Sequence, residues 1–543
     1  MKKALSIFFL FIGFQIQAQT WQDTVLQIDK ILNRYTDSTP GAQIAISRGG
    51  QVIYSSAKGL ADLEHKVPLT VNSVIEVGSV SKQFTAACIL LLEQQGKLSL
   101  NDDIRKYVPE IPGYGNVIRI KHLLHHTSGL KDWGSIAEIS GWPRTTKTYT
   151  NEDAFHFMTL QKTLNNKPGD EFIYSNSNYN LMAVIIQRVS GLSLAEYSRK
   201  YIFEPAGMTH TEWRDNFRRI VLNRAIAYSR IGNSYITTMP NENAYGNGGL
   251  ITNTQDLLKW NNYYLNGKLG SPSLLEKQTA VDTLNNGKVN NYAAGLFIDS
   301  TNGWPVIAHN GATAGYRANL EYYPTTDLSI TWISNTSHLG FGNIFEMVRN
   351  LLVENIKNPP QPVRAGDVTI SRSTFIPYMG LYKEKVTGSA LSLFIKADGI
   401  YSSRNNEALL PLSDKQLSVG RSTVDFISSN PKQFKFTNAA GVVSWYDGAD
   451  SARTDERSLQ DYTGKYYSTE TETTIEAILK NGGLIFYRRT GMETVLTPSY
   501  KDGFSFPGGE VYFERDKKKQ PVQFFISVSR ARKVQFIRKS NIP

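Results

Sequence analysis

Ser79 and Lys82 stand three positions apart in "EVGSVSKQFTAACILLLEQQGKL" (76–98). Behind them Phe84, Cys88, Leu91 and Leu92 keep the i, i+4, i+7, i+8 spacing of a buried helix face, and Gly96 closes the run. Three-residue spacing puts the hydroxyl and the amine on one face, a turn apart. Serine is a poor nucleophile until an adjacent base takes its proton, and a lysine withdrawn from water can serve as that base. The front of a helix adds backbone N–H groups and a positive dipole end, both suited to an anion. Taken alone, the pair is better explained as a serine cap followed by a solvated lysine.

Two further clusters carry complementary chemistry. In "KPGDEFIYSNSNYNLM" (167–182), Tyr174 and Asn176 precede an apolar helix. A phenol beside an ammonium can exchange protons with a serine, and a carboxamide can orient a substrate carbonyl. In "VIAHNGATAGY" (306–316), His309-Asn310-Gly311 falls on an expected strand, where glycine lets a substrate backbone lie close. The N–H of Ala312 would then join that of Ser79 as an oxyanion hole, with His309 as a cation or hydrogen-bond donor.

Positioning these residues requires an ordered scaffold, and the chain has the means. "AQIAISRGGQVIYSSA" (42–57) reads as a hairpin around Gly49-Gly50, and "SNYNLMAVIIQRVSG" (177–191) as a helix stopped by Gly191. Strands return over 305–335 around a turn at Pro324 to Asp327, so one α/β domain takes its sheet from both ends of its segment. "KNPPQPVRAG" (357–366) is a proline-rich linker. Beyond it, short alternating strands predict an all-β region with an internal repeat. "FIPYMGLY" (375–382) returns as "LQDYTGKY" (459–466), and the offset holds through Leu391/Ile475, Ile395/Leu479, Lys396/Lys480 and Gly399/Gly483. Two barrels and two halves of one barrel both fit.

The order Ser-x-x-Lys, Tyr-x-Asn, basic-x-Gly resembles the serine β-lactamase-related family: class C β-lactamases, low-molecular-mass penicillin-binding proteins, and related esterases and D-aminopeptidases. "GKLSLNDDIRKYVPEIP" (96–112), "IKHLLHHTSGL" (120–130) and "NGGLITNTQDLLKW" (247–260) resemble it too, over about residues 25–355. The resemblance implies a β-lactamase/transpeptidase-like α/β (α+β) domain over 19–356, an antiparallel sheet flanked by helices. A linker (357–372) and barrel-like repeats at 373–455 and 456–543 follow. It also implies Ser79 as the acylated nucleophile and Lys82 and Tyr174 as the proton-transfer pair. Asn176, His309 and Gly311 would contact substrate, and Ser79 and Ala312 would donate to the oxyanion. Members that bind a carboxylate usually carry Lys-Thr-Gly where this chain has His309-Asn310-Gly311.

The expected activity is therefore acyl-enzyme hydrolysis of a small amide, peptide or ester, cell-wall fragments included, in the manner of a D-aminopeptidase or esterase. A D-Ala-D-Ala carboxypeptidase or β-lactamase is the alternative within the family, and a non-hydrolytic cell-wall sensor the alternative outside it. Penicillin acylation is expected to be weak at pH 7.5 and to improve as His309 gains a proton near pH 6. A chain ending near Asn355 is expected to keep its reactivity toward small probes, with altered selectivity toward larger substrates.

The remaining signals narrow the class. Lys2, Lys3, the apolar "ALSIFFLFIGF" (4–14) and "QIQA" (15–18) form an export signal (1–18) cleaved after Ala18, with no integral membrane segment after cleavage and a periplasmic or secreted product. The one cysteine, Cys88, rules out an intrachain disulfide and reads as core. "HLLHH" (122–126) lacks a glutamate or third ligand at a metalloprotease interval, so no metal or other cofactor is expected. No Gly-x-Ser-x-Gly elbow occurs. Much of the net charge of +11 sits in the last thirty residues, as in "RDKKKQ" (515–520) and "SRARK" (529–533), read as a solvated strand face and not as a nucleic-acid surface.

Overall fold

The computed structural model describes residues 20–144, 146–241, 243–353, 370–404 and 408–539. The expected export signal and most of the expected linker lie outside the described residues.

The expected hairpin forms strands β1 (Ala42–Arg48) and β2 (Gln51–Lys58). The later strands are β3 (Phe297–Thr301), β4 (Trp304–Thr313), β5 (Tyr316–Tyr323) and β6 (Leu328–Ser334). They assemble in the order β3-β4-β5-β6-β1-β2, antiparallel throughout, so the two ends of the domain meet where β1 pairs β6, with Ile44 opposite Trp332. Closing the sheet this way holds the whole intervening chain against one scaffold.

Helices cover both faces. Helices α1 (Trp21–Leu32) and α6 (Leu339–Leu352) pack Ile28, Leu32, Ile344 and Val348 against Ile44, Ile46, Ile330 and Trp332. The opposite side carries α2 (Lys82–Gln94), α4 (Asn176–Ser190) and α5 (Thr254–Leu265), with α3 (Trp133–Ile139) farther along the helical layer. Every residue of α2 from Lys82 to Leu92 is buried, and Phe84 meets Trp260 with ring centroids 4.6 Å apart. Cys88 is buried here, and burial pushes its thiol far above the usual range. Gly191 adopts φ 77° as the left-handed cap of α4, the stop expected from the sequence. Among the described residues, no helix is long and apolar enough to cross a membrane.

The C-terminal region is two separate closed barrels of eight antiparallel strands, which settles the choice between two barrels and one. The first runs from Gly380 to Gly448, the second from Gly464 to Arg538. Their shared motif does the same work twice. Tyr382 and Tyr466 are both fully buried, and each hydroxyl donates to the carbonyl four residues earlier, at Tyr378 and Tyr462.

The second barrel is docked on the α/β domain. Ile136 and Ile139 of α3 belong to its apolar core, beside Leu459, Leu496 and Phe536. Lys131 and Glu470 form a buried ion pair at 2.8 Å. Glu470 also accepts from the N–H groups of Lys162 (3.1 Å) and Gln535 (2.9 Å), so this carboxylate is paired and hydrogen-bonded, as burial demands.

Candidate active site

Ser79 lies in a 3-10 turn, Gly78–Ser81, that runs into α2. The strand before it is anchored by the buried pair Glu76–Arg214 at 3.1 Å. Lys82 opens α2 and is fully buried. Its ammonium donates to Ser79 Oγ (3.1 Å), Asn176 Oδ1 (3.1 Å) and the carbonyl of Asn247 (2.5 Å). It also faces the rings of Tyr174 and Tyr179, 4.8 and 5.6 Å from their centroids. The turn thus brings hydroxyl, amine, phenol and carboxamide together from segments almost a hundred residues apart. Burial pushes the Tyr174 phenol well above its usual range, while a hydrogen bond with Ser79 and the charge of Arg530 act in the opposite direction.

Strand β4 completes the pocket by close backbone approach. A Cβ on Gly311 would lie 2.0 Å from the Val77 carbonyl oxygen and 3.1 Å from Ser79 N. One on Gly78, which has φ +51°, would lie 2.8 Å from Ala312 N. Only glycines allow this contact, and it places the N–H groups of Ser79 and Ala312 on one wall.

The Tyr-x-Asn loop is held from behind. Asp132 Oδ2 accepts from Asn176 N (2.6 Å), Ser177 Oγ donates to Lys131 O (2.7 Å) and accepts from Trp133 N (2.8 Å). His126 Nδ1 accepts from Ser175 N (3.2 Å) and Asn178 Nδ2 (3.0 Å). In the same stretch, His122 Nδ1 accepts from Arg119 N (3.1 Å), and His125 Nδ1 meets Tyr292 O (2.9 Å). The "HLLHH" histidines are therefore held by separate hydrogen bonds.

His309 departs from expectation. It is buried, Nδ1 donates to Asn310 O (2.6 Å), and Nε2 accepts from the Tyr292 hydroxyl (3.0 Å). The carbonyl partner fixes the proton on Nδ1. Burial, with the Lys82 charge adding to it, pushes its pKa down to about 3. His309 is consequently neutral at pH 6, and the expected gain of charge there does not occur. It lines the pocket wall as a fixed imidazole.

These residues surround a cavity of about 590 Å³. Sequence reasoning missed four of its determinants: the Asn247 carbonyl, Tyr292, Asp132 and Arg530. Asn247 lies in a segment already marked by resemblance, but a backbone acceptor has no residue-type signature. Arg530 sits in the basic tail read as a solvated face, a reading the structure corrects. Its guanidinium carbon is 4.9 Å from the Tyr174 ring centroid, and Arg532 pairs with Glu171 at 2.9 Å.

Comparison with known proteins agrees with this geometry. Residues 28–348 match the family model described as Beta-lactamase. Protein flp of Staphylococcus aureus (strain N315) is 30% identical over 323 residues, 58% of this chain and 63% of its own length. The chain thus spans less than two thirds of that relative. Two solved structures share the fold. The octameric penicillin-binding protein homologue from Pyrococcus abyssi has a TM-score of 0.53 and 24% identity, over 78% of this chain and 99% of its own. D-amino acid amidase from Ochrobactrum anthropi SV3 has a TM-score of 0.52 and 21% identity, over 61% and 98%.

Proposed function

Because the chain belongs to the beta-lactamase family of serine hydrolases, we propose that it hydrolyses a small amide, peptide or ester outside the cytoplasm through an acyl-enzyme on Ser79. The observation that carries this reading is the buried Lys82 ammonium, 3.1 Å from Ser79 Oγ and in contact with both Tyr174 and Asn176. The Lys82–Tyr174 pair acts with one proton removed, as amine and phenol or as ammonium and phenolate, and Ser79 Oγ attacks the carbonyl carbon as its proton passes into that pair. The carbonyl oxygen becomes an oxyanion received by the N–H groups of Ser79 and Ala312, which stabilise charge as it develops. Tyr174 returns a proton to the leaving nitrogen or oxygen as its bond to carbon breaks. Water then adds to the acyl carbon, releases the acid and restores the serine hydroxyl. Asn176 orients the substrate carbonyl or amide, and Gly311 lets the substrate backbone run along β4. His309 acts as a neutral part of that wall.

The neutral third motif favours the aminopeptidase- or esterase-like reading over a carboxypeptidase or β-lactamase that relies on a cation at that strand. The complete Ser79, Lys82, Tyr174 set favours an enzyme over a sensor, since binding alone needs no proton-transfer pair. A panel of D-amino acid amides, p-nitrophenyl esters and a chromogenic cephalosporin tests the proposal. Turnover is expected on the amides or esters, abolished by Ser79→Ala. Fast cephalosporin hydrolysis with inert amides and esters would overturn the substrate reading.

A further inference from the structure

The third motif brings no charge to the catalytic pocket, yet the pocket is not without cations. Arg144, Arg317 and Arg530 line it. Arg317 is committed to backbone, its Nη1 donating to Ala314 O (2.9 Å) and Tyr316 O (2.6 Å). Arg144 lies with its guanidinium carbon 5.2 Å from the Trp133 ring centroid. Arg530 differs from both in origin and placement.

Arg530 comes from the tight turn between the last two strands of the second barrel, Pro521–Val528 and Ala531–Arg538. The turn is fixed by its backbone. The Arg530 carbonyl accepts from Asp132 N (3.0 Å) and Asn165 Nδ2 (3.0 Å), and Arg532 N donates to Asn165 Oδ1 (2.7 Å). Asp132 is the residue that holds Asn176, so the turn is registered directly against the catalytic loop. The side chain is left half-buried over Tyr174, and among the described residues no carboxylate pairs with it. It also lines a second cavity of about 670 Å³ between the catalytic domain and the two barrels. Arg530 thus stands where the nucleophile's pocket opens toward the barrels, a charge with no partner of opposite sign among the described residues.

We propose that Arg530 is the specificity-determining cation of this site, and that it receives a carboxylate carried on the leaving-group side of the scissile bond. The side follows from the reading of Tyr174 as proton donor to the leaving atom, on which this inference rests. An anion seated on a guanidinium stacked over that ring lies next to the departing group. A guanidinium is always charged and matches a carboxylate with two parallel N–H donors, so the interaction is directional and independent of pH in the working range. The cation absent from β4 is thereby supplied by another domain.

The test is a pair of thioesters with one acyl group, one with a thioglycolate leaving group bearing a free carboxylate and one with its methyl ester. Wild type is expected to prefer the free carboxylate in kcat/KM. In Arg530→Gln that preference should fall about ten- to hundredfold, the usual weight of a charge-assisted hydrogen-bonded pair, while Arg530→Lys should keep part of it. The free acid should also inhibit more strongly than the methyl ester in wild type, with the difference erased in Arg530→Gln. An equal loss on both thioesters would show that Arg530 acts on Tyr174 or on folding and would overturn the subsite. So would a wild type without preference that still reacts with a neutral fluorophosphonate, an outcome that leaves the hydrolase reading intact. A folded wild type inert to both thioesters and to the fluorophosphonate overturns the hydrolase reading and the subsite with it.

Discussion

Lys82 spends its three donors on Ser79, Asn176 and the Asn247 carbonyl, so the amine is oriented before any substrate arrives. Removing any member of such a unit should disable the whole. Ser79→Ala is expected to lower turnover by more than about a thousandfold, and Lys82→Ala or Tyr174→Phe to come close, with little added by combining them. Steady-state kinetics on one ester check this, and additive losses in the double variant would contradict it. His309 carries a second prediction. Its pKa of about 3 in the fold lies below the value near 6.5 of an unfolded chain. The unfolded state therefore binds the extra proton between these values, and the contribution is complete above pH 6.5 and lost as pH falls toward 3. His122, pushed by burial to about 4, acts with the same sign. The urea midpoint should drop steadily from pH 6.5 to 4, and a flat profile would contradict a buried neutral imidazole. The same residue marks where sequence reading fell short. Ser79, Lys82, Tyr174 and Asn176 were legible because type and spacing carry their chemistry. The environment of His309 was not, because its burial and its Tyr292 partner are set by tertiary packing.

At the scale of elements, the site depends on how closely β4 passes the turn before α2. Gly311→Ala should push the strand away from Val77, because the clash is with backbone and no side chain can swing aside. We expect a loss of about a hundred- to a thousandfold in acylation, the range seen when an oxyanion donor is removed, with the fold retained by circular dichroism. Near-normal acylation would mean that the Ala312 N–H is not used. The elements themselves were readable. Gly49-Gly50 turned β1 into β2, Gly191 stopped α4, and the strands expected over 305–335 are β4 to β6. What the pattern could not supply was the order of the sheet edge to edge, since β1–β6 pairing joins residues almost three hundred positions apart.

The whole molecule is more integrated than its sequence suggests. A proline-rich linker and an all-β repeat read as a region that shapes access to the site, and reactivity toward small probes was expected to survive its removal. That expectation did not include the docked interface seen in the structure. The second barrel buries Ile136 and Ile139, pairs Glu470 with Lys131, and seats Arg530 beside Asp132 and Tyr174. Deleting both barrels would remove the ion-pair partner of Lys131 and expose the apolar side chains Ile136 and Ile139 to water. A chain ending near Asn355 should therefore be less stable and be acylated at least tenfold more slowly than the full chain. Full-rate labelling of the shortened chain would show that the docking is dispensable. No residue-type pattern could reveal this interface, because its charges are satisfied only across domains.

The central claim, a covalent step on Ser79 prepared by Lys82, is tested most directly by mass spectrometry of the full chain after brief treatment with a fluorophosphonate. The account predicts a single rapid adduct, mapped to the peptide containing Ser79, absent from Ser79→Ala and strongly slowed in Lys82→Ala. An unmodified folded protein, or an adduct on another residue that persists in Ser79→Ala, would contradict it.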